Sequence, residues 1–155
     1  MSVKRAYLAA VVLDGKIYAM GGHDGAGSLD TVEVYDPQAD SWQRVASMPQ
    51  SLYGHAAAAM GGKIYVTGGE TNQRGSLNSA CVYDPQADAW MQLAGMGNAR
   101  RAHASAAVGG KLYVFGGQGT SGRLSTAEVY DPASDSWAQV TSLTSGRRQF
   151  VAAAL

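Results

Sequence analysis

The stretch GKIYAMGG at Gly15–Gly22 returns as GKIYVTGG at Gly62–Gly69 and as GKLYVFGG at Gly110–Gly117. An octapeptide written three times marks a repeat architecture, and a period of roughly 20–50 residues means a solenoid, a propeller or an array. The Gly-Gly pairs begin at 21, 68 and 116, giving steps of 47 and 48. Tyr-Asp-Pro begins at 35, 83 and 130, and tryptophan stands at 42, 90 and 137, both with steps of 48 and 47. Met1, Met48, Met96 and Leu143 open the units. The repeats therefore run over about 1–47, 48–95 and 96–142, and residues 143–155 add one further first strand.

Each unit reads as four short strands. In the first, Tyr7–Leu13 is apolar and ends at the turn pair Asp14-Gly15. Lys16–Met20 is β-prone and stops at Gly21-Gly22. Thr31–Tyr35 alternates, with Val32 and Val34 on one face. Asp36-Pro37 then opens a turn, because proline presets φ and aspartate bonds back to the backbone. Trp42–Val45 is the fourth strand. No segment has a helical period. The Gly-Gly pairs suit a strand end where a side chain would clash or φ must turn positive. Trp42, Trp90 and Trp137 are large enough to fill the space between units. Tyr18, Tyr65 and Tyr113 are expected to pack likewise, with their hydroxyls finding partners.

Composition narrows the function. Twelve acidic and twelve basic residues give a formal net charge of zero, which argues against nucleic-acid or anionic-membrane partners. A single cysteine, Cys81, excludes an internal disulfide and paired-cysteine zinc sites. Its third-strand position suggests a half-buried, unreactive thiol. The apolar start Ala6–Leu13 looks like a secretory leader, but the same block recurs at Ala56–Met60 and Ala102–Val108, so a cytoplasmic protein is expected. There is no nucleophile elbow, no paired-histidine metalloprotease motif and no phosphate loop. His55 and His103 share one repeat position, filled by Leu8 and Phe150 elsewhere, so a packed or channel-lining role is expected. No catalytic residue, metal or cofactor is assigned.

Gly-Gly, a Glu-bearing strand, Tyr-Asp-Pro and Trp at fixed offsets closely resemble the kelch repeat, over essentially the whole chain. The resemblance implies an all-β propeller of four-stranded antiparallel blades, three blades in this chain. A closed propeller uses about four to eight blades. The chain therefore resolves in one of two ways: two copies close a six-bladed ring, or it is part of a longer propeller. In the first case Arg147–Leu155 of one copy competes with Lys4–Leu13 of the other for one blade position.

The resemblance also implies a protein-interaction surface at one mouth of the channel, where kelch propellers that bind acidic peptides carry arginines. Arg5, Arg100 and Arg147 head the first strands, and Arg101 and Arg148 follow the last two. The second repeat has Leu52 and Tyr53 there instead. All five arginines and Tyr53 are candidate ligand-binding residues for an acidic peptide or partner loop. So are His23, Arg74 and Arg123 in the variable loops after Gly-Gly. The bland reading of the leading arginines is specific: Glu33 and Glu128 face them in sequence, whereas the repeat lacking arginine has Cys81 in place of glutamate. Arg5–Glu33 and Arg100–Glu128 are thus expected to pair within their blades. Two other function classes stand beside the interaction surface: a sugar-modifying, mutarotase-like enzyme, and a purely structural or designed assembly. A copper oxidase is a poor match, because most tyrosines sit at repeat positions.

Overall fold

The computed structural model describes residues 1–150 and Ala152; the rest of the extra strand expected at the end of the chain lies outside the described residues. Strands β1 (Ala9–Leu13), β2 (Lys16–Met20), β3 (Val32–Asp36) and β4 (Ser41–Val45) form one antiparallel sheet in chain order. Strands β5 (Ala56–Met60), β6 (Lys63–Thr67), β7 (Ala80–Asp84) and β8 (Ala89–Leu93) form a second. The third holds β9 (Ala104–Val108), β10 (Lys111–Phe115), β13 (Ala127–Asp131) and β14 (Ser136–Val140). A two-residue ribbon, β11 (Gln118–Gly119) with β12 (Gly122–Arg123), rises from its loop. These are three propeller blades. Strands β1, β5 and β9 lie side by side and form the inner wall of the arc.

Local chemistry sets each blade. The hairpin between its first two strands turns on two residues with positive φ, Asp14-Gly15 at 50° and 73°, the geometry that matches strand twist. The first strand begins at Ala9 rather than Tyr7, because Tyr7 has φ 54° and leaves the ladder. After Tyr-Asp-Pro the chain reverses on Asp36, whose Oδ1 accepts the Gln38 N–H at 2.9 Å. Tyr35 then donates its hydroxyl to Asp40 at 2.7 Å, and Tyr83–Asp88 and Tyr130–Asp135 repeat the bond. The partnered hydroxyls are therefore those of the Tyr-Asp-Pro tyrosines. Those of Tyr18, Tyr65 and Tyr113 form no hydrogen bond among the described residues; these rings serve by packing.

Blades join through the same few groups at each step. Trp90 donates its indole N–H to the Ala46 carbonyl at 2.9 Å, while Asp88 accepts the Ala46 N–H at 2.8 Å. Trp137 and Asp135 treat Ala94 alike, at 2.8 and 2.9 Å. Tyr18 packs on Tyr83 and Tyr65 on Tyr130, each pair 6.1 Å apart. Ile64 and Leu112 are fully buried in these joints, but their counterpart Ile17 is 37% exposed, as is Trp42. The outer face of blade 1 is therefore a joint without a neighbour. No helix among the described residues is long and apolar enough to cross a membrane.

Candidate functional site

The segment that enters each first strand straddles two blades. Its backbone rests on the preceding blade: the Gly69 N–H donates to the Arg100 carbonyl at 2.9 Å, and the Arg100 N–H donates to Leu77 at 2.9 Å. Its guanidinium turns into its own blade. Arg100 donates to the Gly116 and Thr126 carbonyls at 2.7 and 3.2 Å and to Glu128 at 2.6 Å. Arg5 makes the same set with Gly21, Thr31 and Glu33, the last at 2.7 Å. Both guanidinium groups are completely buried. Burial disfavours the charged carboxylates, but hydrogen bonds outweigh it: Ser2 and Arg5 hold Glu33, and Arg100, Asn98 and Gly97 hold Glu128, below the usual carboxylate range. The expected intrablade pairs are present. Arg5 and Arg100 thus engage both terminal guanidinium nitrogens inside their own blades, and Nε, which has no partner among the described residues, is buried; this geometry fits the structural pairing rather than an exposed ligand contact.

Gly-Gly makes this straddle possible. The pairs carry φ of 57° and 96° at Gly21-Gly22, and a Cβ on Gly21 would stand 2.5 Å from the Leu52 carbonyl of the next blade. Just beyond, the chain forms the rim of the channel. The residue after the arginine position pairs through its backbone with the residue after Gly-Gly: Ala6 with His23, Tyr53 with Glu70, Arg101 with Gln118. The next residue has positive φ in every unit and hands one hydrogen bond on per blade. The Gly54 N–H donates to Tyr7 at 2.9 Å, Ala102 to Gly54 at 2.7 Å, and Gln149 to Ala102 at 2.9 Å.

This rim bounds a cleft of about 320 Å³ whose polar lining includes Tyr7, Tyr53, Glu70, Arg101, Gln118 and Arg148. At the first two blade-to-blade steps two side chains meet along the rim. His23 stands edge-on to Tyr53 at 5.3 Å. Arg101 donates to Glu70 at 2.5 Å. Gln118 and Arg148 take the corresponding places, but Gln118 is neutral, and Arg148 forms no hydrogen bond or ion pair among the described residues. Burial and the adjacent Glu70 carboxylate push the Tyr53 phenol up. Two imidazoles lie below the rim: His103 shares a 2.9 Å hydrogen bond with Thr67, while His55 has no partner for either ring nitrogen among the described residues.

A family model described as the "KLHDC2/KLHL20/DRC7 Kelch-repeats domain" matches residues 9–154. The chain is a kelch-repeat protein. It is 41% identical over 69 residues to Kelch-like protein 33 of Homo sapiens, covering 44% of this chain and 13% of that protein. It is 40% identical over 75 residues to Alpha-scruin of Limulus polyphemus, covering 48% of this chain and 8% of that protein. The chain thus spans a small fraction of the curated relatives it matches. Among solved structures, "Structure of YjhT" superposes with a TM-score of 0.79 at 19% identity, over 93% of this chain and 54% of that one. That likeness concerns the propeller fold alone.

Within this kelch framework the sequence candidates separate. Tyr53, Arg101 and Arg148 meet in the rim cleft, with His23 against Tyr53. Arg74 and Arg123 do not; each is exposed in its own cleft between loops, Arg74 near Asn72 and Gln50, Arg123 near Asn98 and Thr120. Arg147 is exposed, and among the described residues its guanidinium hydrogen-bonds to Ser145 Oγ alone, at 3.1 Å. Tyr7 and Gln149 were not expected in the cleft. The signal for them was present: Gly54 occupies their repeat position, and a glycine there points to positive φ.

Proposed function

We propose that this chain supplies half of a six-bladed kelch ring whose rim binds a protein partner through an acidic side chain. One observation carries the binding reading: Arg148 is an exposed cation opposite the neutral Gln118, in a cleft walled by Tyr7 and Tyr53. A guanidinium offers a planar fork for a carboxylate, and tyrosines give rigid contact area at small entropic expense. Arg101 adds a second cation, shared with Glu70 until an incoming carboxylate competes for it. A sugar-modifying reading needs a free acid or base in the same place. Glu70 is the one carboxylate lining the cleft, and it is held by Arg101.

Ring closure by a second copy is supported by the match between the two outer faces. Blade 1 presents Trp42 Nε1, Asp40 Oδ1 and the Tyr35 ring, the groups with which blades 2 and 3 grip their predecessors. Blade 3 presents the Thr141 backbone and the Tyr113 ring, counterparts of Ala46 with Tyr18 and of Ala94 with Tyr65. Joining the two repeats the existing joint. Closed two-fold assemblies bring such faces together twice per ring. The test is light scattering, then fluorescence anisotropy of labelled Asp/Glu-rich peptides. A mass of twice 16.1 kDa, with binding weakened about tenfold or more by Arg148→Ala and unchanged by Arg123→Ala, is the expected result. Equal binding by wild type and Arg148→Ala refutes the rim reading.

A further inference from the structure

The rim keeps one backbone and changes its side chains. At the second step Tyr53 and Glu70 exchange backbone hydrogen bonds at 3.1 and 3.0 Å; at the third, Arg101 and Gln118 do so at 3.0 and 2.8 Å. The strand entry that follows is held alike in both. The Arg100 carbonyl accepts the Gly69 N–H at 2.9 Å, and the Arg147 carbonyl accepts the Gly117 N–H at 2.8 Å. Ala102 donates to Gly54 at 2.7 Å, and Gln149 to Ala102 at 2.9 Å. Moving one blade round the channel therefore carries Tyr53, Glu70 and Arg101 onto Arg101, Gln118 and Arg148.

At the second step the middle position holds a carboxylate. Glu70 is buried, lies against the Tyr53 phenol and accepts from Arg101 Nη1. At the third step the middle position holds an amide. Gln118 Nε2 turns to the Gly119 carbonyl at 3.2 Å. Arg148 is exposed and unbonded among the described residues, and Arg101 Nη2 has no partner among them either. By the equivalence of the two steps, two cations flank a side chain with the size and shape of glutamate but no charge. Resting on the acidic-partner reading above, we infer that Gln118 sets the specificity of the rim: a carboxylate of the partner lies over its amide, between Arg101 and Arg148, and reproduces the contacts that Glu70 makes one blade earlier. Where Glu70 meets a phenol, the incoming carboxylate meets a second guanidinium.

The charges select the kind of acid. Glu70, Arg101 and Arg148 are the charged side chains lining the cleft, one carboxylate and two guanidinium groups, a net charge of +1. An aspartate or glutamate of the partner balances that charge. A phosphate monoester brings about −1.5 to −2 at neutral pH, and its excess faces the buried Glu70, where water and salt screen the repulsion poorly. Guanidinium forks suit both anions; Glu70 makes the rim prefer the carboxylate.

The test measures anisotropy of labelled Asp/Glu-rich peptides, and of counterparts with phosphoserine in place of one glutamate, against the full chain. Gln118→Glu supplies a resident carboxylate of unchanged size beside Arg148. It should weaken the acidic peptides about tenfold or more, and its effect should shrink in an Arg148→Ala background, where its partner is gone. Glu70→Gln raises the cleft to +2 and frees Arg101, whose side chain is partly exposed and can turn to water. The phosphoserine peptides should then gain about tenfold relative to the acidic ones. Both substitutions keep side-chain shape, so urea midpoints near wild type verify the fold. If Arg148→Ala weakens binding but Gln118→Glu does not, or if Glu70→Gln leaves the preference between the two anions unchanged, the role of Gln118 is overturned and the acidic-partner reading stands. If no peptide binds, or Arg148→Ala binds as wild type does, that reading falls and the role of Gln118 with it.

Discussion

Acid should destabilise this protein well before its carboxylates titrate, through two histidines. His55 and His103 are 6% and 5% exposed, in the joints between successive blades. Burial pushes the His55 imidazole down to about 4. Burial, the Arg100 guanidinium and His55 together push His103 down to about 3. Both rings are thus neutral in the fold and protonate in the unfolded chain near the ordinary imidazole value of about 6.5. Below that value the unfolded state binds more protons, so stability falls as pH falls, and goes on falling until the folded-state values are reached. Between pH 7.5 and 5 each histidine removes roughly 2 kcal/mol, about 4 kcal/mol together. Against a usual total of about 5–15 kcal/mol, that is a large share.

The molecule itself offers the control. The same repeat position holds Leu8 in the first unit and Phe150 after the third, so His55→Leu and His103→Phe use side chains it already accommodates. Urea unfolding followed by tryptophan fluorescence, at fixed protein concentration and at pH 7.5, 6.5, 5.5 and 5, gives stability at each pH. Wild type should lose about 4 kcal/mol over the range, each single variant about half, and the double variant little. Unfolded carboxylates take up protons mainly below about pH 5, so they contribute little here. At pH 7.5 His55→Leu should be neutral or stabilising, because it removes two buried nitrogens without partners. A double variant that keeps the wild-type decline would refute the assignment, as would a wild-type decline under about 1 kcal/mol.

Three further outcomes follow from the joints and seats. Arg100→Ala should cost about 3–5 kcal/mol by leaving Glu128 buried and unpaired, whereas Arg100→Leu/Glu128→Cys, which copies the Leu52 and Cys81 of blade 2, should cost far less; chemical denaturation of the set measures the coupling. Trp90→Ala should lower stability by about 3–5 kcal/mol, and Trp42→Ala by clearly less in dilute protein, since Trp42 lies on the uncovered face; the gap should narrow at concentrations where a second copy binds. Burial pushes the Cys81 thiol up to about 12, so a thiol reagent at pH 8 should label it only as fast as the protein opens, and urea should release a full equivalent.

The blades were legible in the sequence because each repeated residue does one local job. Gly-Gly admits the next segment, Tyr-Asp-Pro makes the turn, and Trp reaches back to the preceding carbonyl. The Arg–Glu seat was legible for a different reason. The second repeat lacks both partners, and a buried charge survives only with its counter-charge. The rim was harder to read. Its pairs join a loop of one repeat to the strand entry of the next, as Glu70 joins Arg101 across 31 residues. Glu70 has no counterpart in the other units and arginine recurs only at Arg148, so periodicity does not pair the two. Only geometry sets the residue after Gly-Gly against the entry of the following blade.

That geometry divides the chain into two kinds of position. Where the units agree, each residue satisfies a neighbour's backbone, and the agreement continues to the open faces, where Trp42 and Thr141 hold the two halves of a joint made elsewhere in the same molecule. Where the units differ, at His23, Glu70 and Gln118 and at Ala6, Tyr53, Arg101 and Arg148, the side chains bond at most one another or their own loop, as His23 accepts the Gly25 N–H and Gln118 donates to the Gly119 carbonyl. Each rim step therefore pairs a different couple on an identical backbone. In a two-copy ring every couple would occur twice, on opposite sides of the channel, while the joint between copies would add Gln118 and Arg148 of one chain to the rim of the other.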